Sequence, residues 1–306
     1  MMMNDYRYRL DDPRVTGRRQ QKTTCPSCGR KRCFVRYVDT RDDCKYLDNR
    51  VGRCDHEQSC GYHYKPADFF RDQPWAKPDW QPSHPVVQKP PKPLIIEPLP
   101  AIYMAQSHAP GSTFWQWFSG PCAQQLGISQ EVVLKIYDDY YIGATRKGEV
   151  IFWQVDEYGR IRTGHVMAYN SEGHREGYQG WVHTKLIRQG LLRMDFPLQQ
   201  CFFGQHLLKK RPDAVVCLVE SEKTALILAA IHPEHVWLAT CGSSGLNAEK
   251  CQCLKGRRVV IFPDSGCLDK WREKMSPISD VSYTFCESLE KYPANTDLAD
   301  LLLHPP

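Results

Sequence analysis

At 306 residues the chain is long enough for two domains or three small ones. Its content of 42% hydrophobic and 11% aromatic residues argues against wholesale disorder, and it contains no apolar run long enough to cross a membrane. The net charge of +5 is uneven, because residues 1–66 carry 15 Lys and Arg against 9 Asp and Glu. This basic first segment predicts a polyanionic partner, most simply nucleic acid.

The first residues, 1–19, are polar and lack the apolar segment of a secretory signal. We therefore expect a cytoplasmic protein without membrane contact. Six of the 14 cysteines fall close together near the start of the chain: Cys25, Cys28, Cys33, Cys44, Cys54 and Cys60. In a reducing compartment such a cluster indicates metal binding rather than disulfides.

The sequence CPSCG, residues 25–29, predicts one half of a zinc site. Two thiolates separated by two residues, with a Gly after them, form a tight turn that presents both sulfur atoms to a tetrahedral ion. The second pair should come from residues 53–63, where His63 is an alternate to Cys54. The favoured ligands are Cys25, Cys28, Cys54 and Cys60.

Between the two ligand pairs, residues 32–39 and 45–54 alternate apolar and polar side chains, as β-strands do. We therefore expect a zinc β-ribbon over residues 1–71. Roughly 40 residues bury too little surface to fold alone, so zinc should contribute on the order of 10 kcal/mol. Arginines that bind phosphates and aromatic residues that stack on bases would contact the nucleic acid. The candidates are Arg30, Arg32, Arg36, Arg53, Phe34 and Tyr37.

Residues 72–100 contain nine of the 22 prolines. Proline at this density prevents long helices and ladders and favours extended conformations. This segment is predicted to be a semi-rigid linker between the ribbon and the rest of the chain.

Residues 101–212 are predicted to form an α+β region. Ser129 stands where the N-cap of a helix is expected. Residues 148–170 contain two apolar runs on either side of a Gly-containing turn, which predicts a β-hairpin. The aromatic stripe in residues 114–118 favours a buried helix face over base stacking. Three histidines lack the spacing of metal ligands and are interpreted as surface or core residues: His165, His174 and His183.

The last part of the chain, residues 213–306, has a different pattern. Three short apolar runs are typical of strands buried on both faces: 214–219, 236–240 and 258–262. A helical segment, 222–231, follows the first run, and this order predicts a parallel α/β sheet. The chain has no GxxxxGK[ST] motif, which argues against a P-loop ATPase.

Two acidic residues directly follow strands of this expected sheet. Glu220 follows the first strand and Asp264 follows the third. Because the carboxyl ends of parallel strands meet at one edge, these side chains should lie close together, where Mg²⁺ or Mn²⁺ would neutralise them. The helix start and the Gly-rich turn after the second strand offer groups that bind phosphate: Lys223, Gly242, Ser243 and Ser244.

These segments resemble the TOPRIM (topoisomerase–primase) domains of phage- and plasmid-type primases. LVESEKTALILAA, from residue 218, is similar to their first motif, and LKGRRVVIFPDSG, residues 254–266, is similar to their aspartate motif. NTDLADLLL, residues 295–303, looks like the Asp-rich segment that often closes such domains. The hairpin and the order of ribbon, linker, core and TOPRIM segment also resemble those of bacterial-type primases. The resemblance implies that residues 101–212 form a primase-core-like region.

The resemblance implies roles for individual residues. Glu220 would be the catalytic glutamate and general acid/base, and Asp264 the first metal-binding aspartate. The second aspartate of the family motif is replaced by Gly266 in this chain. Asp269 is the nearest acid that would stand in, at the wrong spacing, and Glu222, which matches the first motif, is a further candidate magnesium ligand.

The resemblance therefore implies a primase-like protein of DNA replication or mobile-element maintenance, with Mg-dependent primer synthesis from nucleotides on single-stranded DNA or another nucleic acid. Such a protein would serve a helicase or mobilisation protein. The loss of one metal-binding carboxylate leaves an alternative from another class. In this alternative the chain is a catalytically inactive TOPRIM and zinc-ribbon module that binds DNA or a replication partner.

Overall fold

Two units, residues 1–90 and 91–306, make up the chain. The structure, a computed structural model, describes residues 6–56, 59–76, 97–242 and 245–305. Most of the expected proline-rich linker lies outside these residues, and the four-part division into 1–71, 72–100, 101–212 and 213–306 stays a prediction. Among the helices that the structure describes, none is long and apolar enough to cross a membrane.

A six-stranded antiparallel sheet forms the first unit. Its strands are β1 (Tyr8–Leu10), β2 (Lys22–Thr23), β3 (Phe34–Asp39), β4 (Lys45–Tyr46), β5 (Gly52–Cys54) and β6 (His63–Tyr64). The main order is β1-β3-β5-β6, and β2 and β4 also pair with β3. Two helices, α1 (Pro13–Thr16) and α2 (Pro66–Asp72), and a 3-10 turn (Pro74–Ala76) complete the unit. The alternation that predicted a β-ribbon corresponds to β3 and β5.

A close approach between β3 and β5 explains the glycine at position 52. A Cβ atom at Gly52 would lie 2.4 Å from the Val35 carbonyl oxygen and 2.5 Å from the Phe34 ring. Both distances are shorter than van der Waals contact, so any other residue would push the two strands apart. The ring of Phe34 is fully buried as a result of this packing.

Helices and a four-stranded antiparallel sheet begin the second unit. The helices are α3 (Ala101–Ser107), α4 (Thr113–Trp117), α5 (Ala123–Leu126), α6 (Gln130–Asp139), α7 (Val182–Arg188) and α8 (Leu207–Lys210). The strands β7 (Ile142–Ala144), β8 (Val150–Val155), β9 (Ile161–Tyr169) and β10 (Arg175–Trp181) pair in the order β10-β9-β8-β7. The predicted hairpin is confirmed as β8 and β9. Ser129 caps α6, since its side chain accepts a hydrogen bond from the Val132 N–H.

A four-stranded parallel sheet completes the second unit. Its strands β11 (Val216–Val219), β12 (Val236–Ala239), β13 (Arg258–Ile261) and β14 (Ser282–Phe285) lie in the order β12-β11-β13-β14. The helices are α9 (Glu222–Ile231), α10 (Ala248–Cys251), α11 (Leu268–Met275) and α12 (Leu298–Leu303). The first three strands confirm the predicted parallel sheet. The edge strand β14 was not predicted, because its alternating half-exposed side chains lack a continuous apolar run.

The two sheets of the second unit share one hydrophobic core. The Tyr140 hydroxyl donates to the Trp237 carbonyl (2.9 Å), and Phe203 forms a β-bridge with Ala239. The aromatic stripe of residues 114–118 is buried in this core, as the sequence predicted. The antiparallel sheet therefore packs against the elements that carry the candidate acidic residues.

Candidate functional site

Four thiols converge in the first unit, and their sulfur atoms lie within 4.8 Å of one another: Cys25, Cys28, Cys54 and Cys60. The first two come from a tight turn, in which the Gly29 N–H donates to the Cys25 carbonyl at 3.0 Å. The Cys25 and Cys60 sulfurs are 3.7 Å apart. Tetrahedral ligands about 2.3 Å from zinc lie roughly 3.8 Å from one another. The cluster therefore fits a structural zinc ion.

The thiols of this cluster have different environments. Burial raises the pKa of Cys25 and Cys54, whereas the backbone N–H of Tyr62 lowers the pKa of Cys60. A metal ion holds its cysteine ligands as thiolates, so zinc binding must release the protons of the buried pair. The folding of this small unit is thereby tied to the metal.

His63, the alternate zinc ligand of the sequence analysis, lies outside the thiol cluster. It is part of β6, and its Nε2 atom is 3.0 Å from the Tyr37 hydroxyl. The two rings are stacked with an interplanar angle of 4°. Cys54 occupies the position that His63 would have taken in the alternate ligand set.

The predicted nucleic-acid contacts divide between two faces of the ribbon. Arg53 of β5 lies opposite His63 of β6 in the strand register, so both side chains are on the same face of the sheet. Val35 lies opposite Arg53, and strand alternation therefore places Tyr37 on this face too. Arg36 lies on the other face, where its guanidinium group is 3.6 Å from the centre of the Tyr46 ring. A single strand that follows one face would contact Arg53 and Tyr37 without Arg36.

The structure corrects the prediction for Phe34. Its side chain is fully buried and packs against Tyr62, with the ring centroids 5.7 Å apart, so it cannot stack on a base in this fold. Arg30 and Arg32 are exposed. Arg30 donates a hydrogen bond to the Ser59 hydroxyl (3.3 Å), which leaves its guanidinium close to the surface.

In the second unit, Glu220 and Asp264 follow neighbouring strands at one edge of the parallel sheet. Leu218 of β11 is in register with Ile261 of β13, and the Phe262 N–H donates to the Leu218 carbonyl at 2.9 Å. Neighbouring strands lie about 4.8 Å apart. Glu220 and Asp264 therefore lie at the same carboxyl-terminal edge.

Asp264 is surrounded by negative charge. Burial raises the pKa of its carboxyl to about 8, and the charges of Glu220, Asp297 and Asp300 act in the same direction. The Arg175 guanidinium opposes this shift. The edge of the sheet thus brings four carboxyl groups into one electrostatic environment.

Backbone pairing explains how Asp297 reaches this edge. The loop after β13 binds the loop before α12, since the Ser265 N–H donates to the Thr296 carbonyl and the Asn295 N–H to the Ser265 carbonyl, both at 2.9 Å. Asp297 then caps α12, with its side chain accepting from the Asp300 N–H at 2.8 Å. The sequence analysis quoted this Asp-rich segment but did not select its aspartates.

The start of α9 holds the same two aspartates from the other side. The Thr224 hydroxyl donates to Asp297 at 2.5 Å, and the Lys223 ammonium group lies 4.0 Å from Asp300. We call the edge with these four carboxyl groups the acidic edge: Glu220, Asp264, Asp297 and Asp300. Lys223, the predicted phosphate ligand, is therefore part of the acidic edge. An incoming phosphate would compete with Asp300 for it.

Other predicted site residues are placed differently. The carboxylate of Glu222 is fully buried and 2.5 Å from His165 Nδ1. Asp269 lies on α11 with its side chain 98% exposed, and it contacts Arg272 at 3.5 Å. The Gly242 N–H donates to the Glu220 carbonyl at 3.3 Å, and its binding of phosphate stays a prediction. Ser243 and Ser244 lie outside the described residues.

Gly266, which replaces the second aspartate of the TOPRIM motif, has a left-handed backbone with a φ of +78°. A side chain at this position would be strained. Its N–H donates to the Glu290 carboxylate at 3.2 Å. The turn is therefore suited to glycine, and the charges of Asp297 and Asp300 act on Asp264 in place of a second aspartate in the motif.

The raised pKa of Asp264 predicts a pH dependence of stability in the absence of divalent cations. The ordinary pKa is 3.8, and the folded value is about 8, so the folded state holds an extra proton between these values. The stabilising contribution is present at low pH and is lost as the pH rises towards about 8. Asp264→Asn should remove this part of the dependence in thermal melts of the zinc-loaded protein recorded without added Mg²⁺ or Mn²⁺, and identical slopes for both proteins would contradict the assignment.

Two family models match the chain. The domain of unknown function DUF6371 matches residues 112–265, and a zinc beta-ribbon finger matches residues 6–75. The second match supports the metal-binding role of the four-thiol cluster. No curated protein matches the chain.

Solved primase structures are similar to this chain at low identity. The primase fragment of the bacteriophage T7 primase-helicase protein is 13% identical, with 93% of this chain and 94% of that chain covered and a TM-score of 0.43. The E. coli primase catalytic core is 14% identical, covering 65% and 73%, with a TM-score of 0.42. A DnaG primase catalytic domain bound to ssDNA is 13% identical, covering 65% and 74%, with a TM-score of 0.42. At these TM-scores the likeness is too loose to assign a function.

Proposed function

This chain belongs to the DUF6371 family, and we propose that it is a primase-like protein that binds single-stranded nucleic acid with its zinc ribbon and joins nucleotides at a divalent-cation site. Glu220 and Asp264 are the centre of that site. Its place would be in DNA replication or mobile-element maintenance, beside a helicase or mobilisation protein. The similarity of its motifs to those of TOPRIM domains supports this proposal.

The observation that carries the proposal is the environment of Asp264. A buried carboxyl group with three acidic neighbours keeps its proton near neutral pH unless a cation replaces it. The neighbours offer only oxygen atoms, which Mg²⁺ and Mn²⁺ prefer as ligands. A divalent cation is therefore the group that best relieves the repulsion at this edge.

The residues of the edge have separate roles in this proposal. A bound Mg²⁺ would neutralise the charge that develops on a transferred phosphoryl group. Asp264 would hold the cation together with Asp297 and Asp300, whose carboxylates compensate for Gly266. Glu220 would act as the general base and accept the proton of the attacking hydroxyl group. Lys223 would turn from Asp300 to a phosphate of the incoming nucleotide.

The zinc ribbon would bind the template strand. Arg53, Tyr37 and His63 share one face, where the arginine offers a phosphate contact and the tyrosine ring a surface for stacking. Because zinc holds the strands that carry these residues, binding of nucleic acid would depend on the metal. The basic excess of residues 1–66 favours the same polyanionic partner.

Binding of Mg²⁺ or Mn²⁺ should raise the melting temperature of the full chain, because the cation binds the folded acidic edge and not the unfolded chain. At about 100 times its dissociation constant a ligand adds about 2.7 kcal/mol to stability. Asp264→Asn should cancel the rise, whereas Asp138→Asn, with a side chain 76% exposed on α6, should keep it. For each protein, differential scanning fluorimetry compares the melting temperature without and with added Mg²⁺ or Mn²⁺.

The same experiment discriminates the second candidate function, a binding module without catalysis. Gly266 favours this candidate, since it removes one carboxylate from the TOPRIM motif. An unchanged melting temperature with either metal, combined with intact binding of single-stranded DNA, would favour the binding module. A rise in melting temperature with Mg²⁺ or Mn²⁺ that Asp264→Asn abolishes would favour the enzyme.

A further inference from the structure

A group of side chains that could hold a metal ion lies in the second unit, apart from the four-thiol cluster. His165 of β9, Glu222 of α9 and Cys241, which follows β12, have their donor atoms within 4.8 Å of one another. His165 is 2% exposed and Glu222 is fully buried. An imidazole, a carboxylate and a thiol thus converge from three distant parts of the chain inside the protein.

Neighbouring side chains contact His165 and Cys241 and fix their orientation. The His165 ring is stacked on Trp181, with centroids 4.3 Å apart and an interplanar angle of 14°. The side-chain amide of Gln179 lies 3.0 Å from His165 Nε2, which leaves Nδ1 directed at Glu222. The Gln154 amide donates to the Cys241 sulfur at 3.2 Å. Contacts of this kind to the outer side of a ligand are typical of metal sites, where they fix the ring and the tautomer.

Only one carboxylate oxygen of Glu222 has an ordinary hydrogen bond, the contact of 2.5 Å with His165 Nδ1. Burial acts to raise the pKa of Glu222, but the His165 ring outweighs it and the pKa is lowered, so the carboxylate is charged in the core. Its Oε2 atom is buried and receives no hydrogen bond of ordinary geometry. The Cys241 sulfur lies within 4.8 Å of the donor atoms of His165 and Glu222. A divalent cation held between these atoms would contact the buried Oε2 atom of Glu222.

We propose that His165, Glu222 and Cys241 bind a second zinc ion. A mixed set of nitrogen, oxygen and sulfur donors suits zinc, whereas a thiolate disfavours Mg²⁺. Donors about 2.0–2.3 Å from a tetrahedral ion lie roughly 3.3–3.8 Å apart, so these atoms need to move by only about 1 Å. Three protein ligands leave the fourth position for water.

This zinc ion would tie the antiparallel sheet to the acidic edge of the parallel sheet. Glu222 stands two residues after Glu220, and the N–H groups of Cys241 and Gly242 donate to the Glu220 carbonyl at 3.1 and 3.3 Å. An ion bound to Glu222 and Cys241 would therefore hold the backbone of Glu220 from both sides. The site does not require that the chain makes primers.

Zinc content of the purified full chain tests the proposal. The wild type should hold about two zinc ions per chain, one in each site. Cys241→Ser should hold about one, and so should Cys25→Ser combined with Cys28→Ser, because each removes a different site. Cys286→Ser is the matched control and should keep both ions, since this thiol lies 3.1 Å from the Ser288 hydroxyl and belongs to neither group of candidate ligands.

The measurement is atomic emission on folded protein, with folding checked by circular dichroism. About one zinc ion in the folded wild type, lost entirely in the Cys25/Cys28 double variant, would overturn the proposal whatever the behaviour of Cys241→Ser. Glu222→Gln provides a second variant that keeps the shape of the side chain and should also lose one ion. Asp264→Asn should keep both, so a failure of primer synthesis and a failure of this site are distinguishable.

Discussion

Asp264→Asn and Glu220→Gln should each abolish templated primer synthesis. Asparagine removes the charge that would hold the divalent cation, and glutamine cannot accept the proton of the attacking hydroxyl group. Loss of a comparable electrostatic or general-base contribution lowers rates by about 100-fold or more. Incorporation of labelled nucleotides on single-stranded DNA, with Mg²⁺ or Mn²⁺, measures the effect.

Two aspartate variants serve as controls for this result. Asp138→Asn makes the same chemical change at an exposed position and should keep wild-type synthesis. Asp269→Asn tests whether Asp269 replaces the missing second aspartate. Since its side chain is 98% exposed and contacts Arg272, we expect little change. Wild-type synthesis by both Asp264→Asn and Glu220→Gln would end the enzymatic proposal, even if nucleic acid still bound.

The location of Glu220 and Asp264 was predictable because it depends on local pattern. Each follows a short apolar run, and parallel strands bring their carboxyl ends to one edge. The register of Leu218 with Ile261 then fixes the pair as neighbours. A strand pattern and one topological rule were sufficient for this part of the site.

Asp297, Asp300 and His165 could not be selected in the same way. Asp297 reaches Asp264 through backbone pairing between two loops, a contact that no periodicity reports. His165 of β9 contacts Glu222 of α9, although the two residues are 57 positions apart in the chain. The Asp-rich segment was visible in the sequence, but its partner was not. The positions of these three residues therefore depend on contacts between distant parts of the chain, which local sequence patterns do not predict.

The burial of Phe34 was not predicted from the sequence for a different reason. Alternation along β3 separates its side chains into two faces, but in a small two-sided ribbon it does not say which aromatic residue is buried. Gly52 was the missed signal, because a glycine within a strand often marks a close approach by a neighbour. Phe34 fills that space, and Tyr37 remains half-buried at the surface.

Cys54→Ser should unfold the first unit and abolish its binding of single-stranded DNA. Cys54 is 1% exposed and belongs to the four-thiol cluster, and serine is a poor zinc ligand of nearly the same size. Zinc contributes on the order of 10 kcal/mol to such units, as much as the whole stability of many domains. Hydrogen exchange over residues 6–76 and a DNA-binding titration would measure the loss.

Two matched variants make this prediction specific to the thiol cluster. Cys44→Ser changes a half-buried cysteine outside the cluster and should keep zinc, protection from exchange and DNA binding. His63→Ala should keep zinc, because His63 contacts Tyr37 rather than the thiols, but it should weaken DNA binding by altering the face of Arg53. If Cys54→Ser kept its zinc and the additional His63→Ala change removed it, the alternate ligand set would be correct. The ribbon would then use the imidazole in place of the buried thiol.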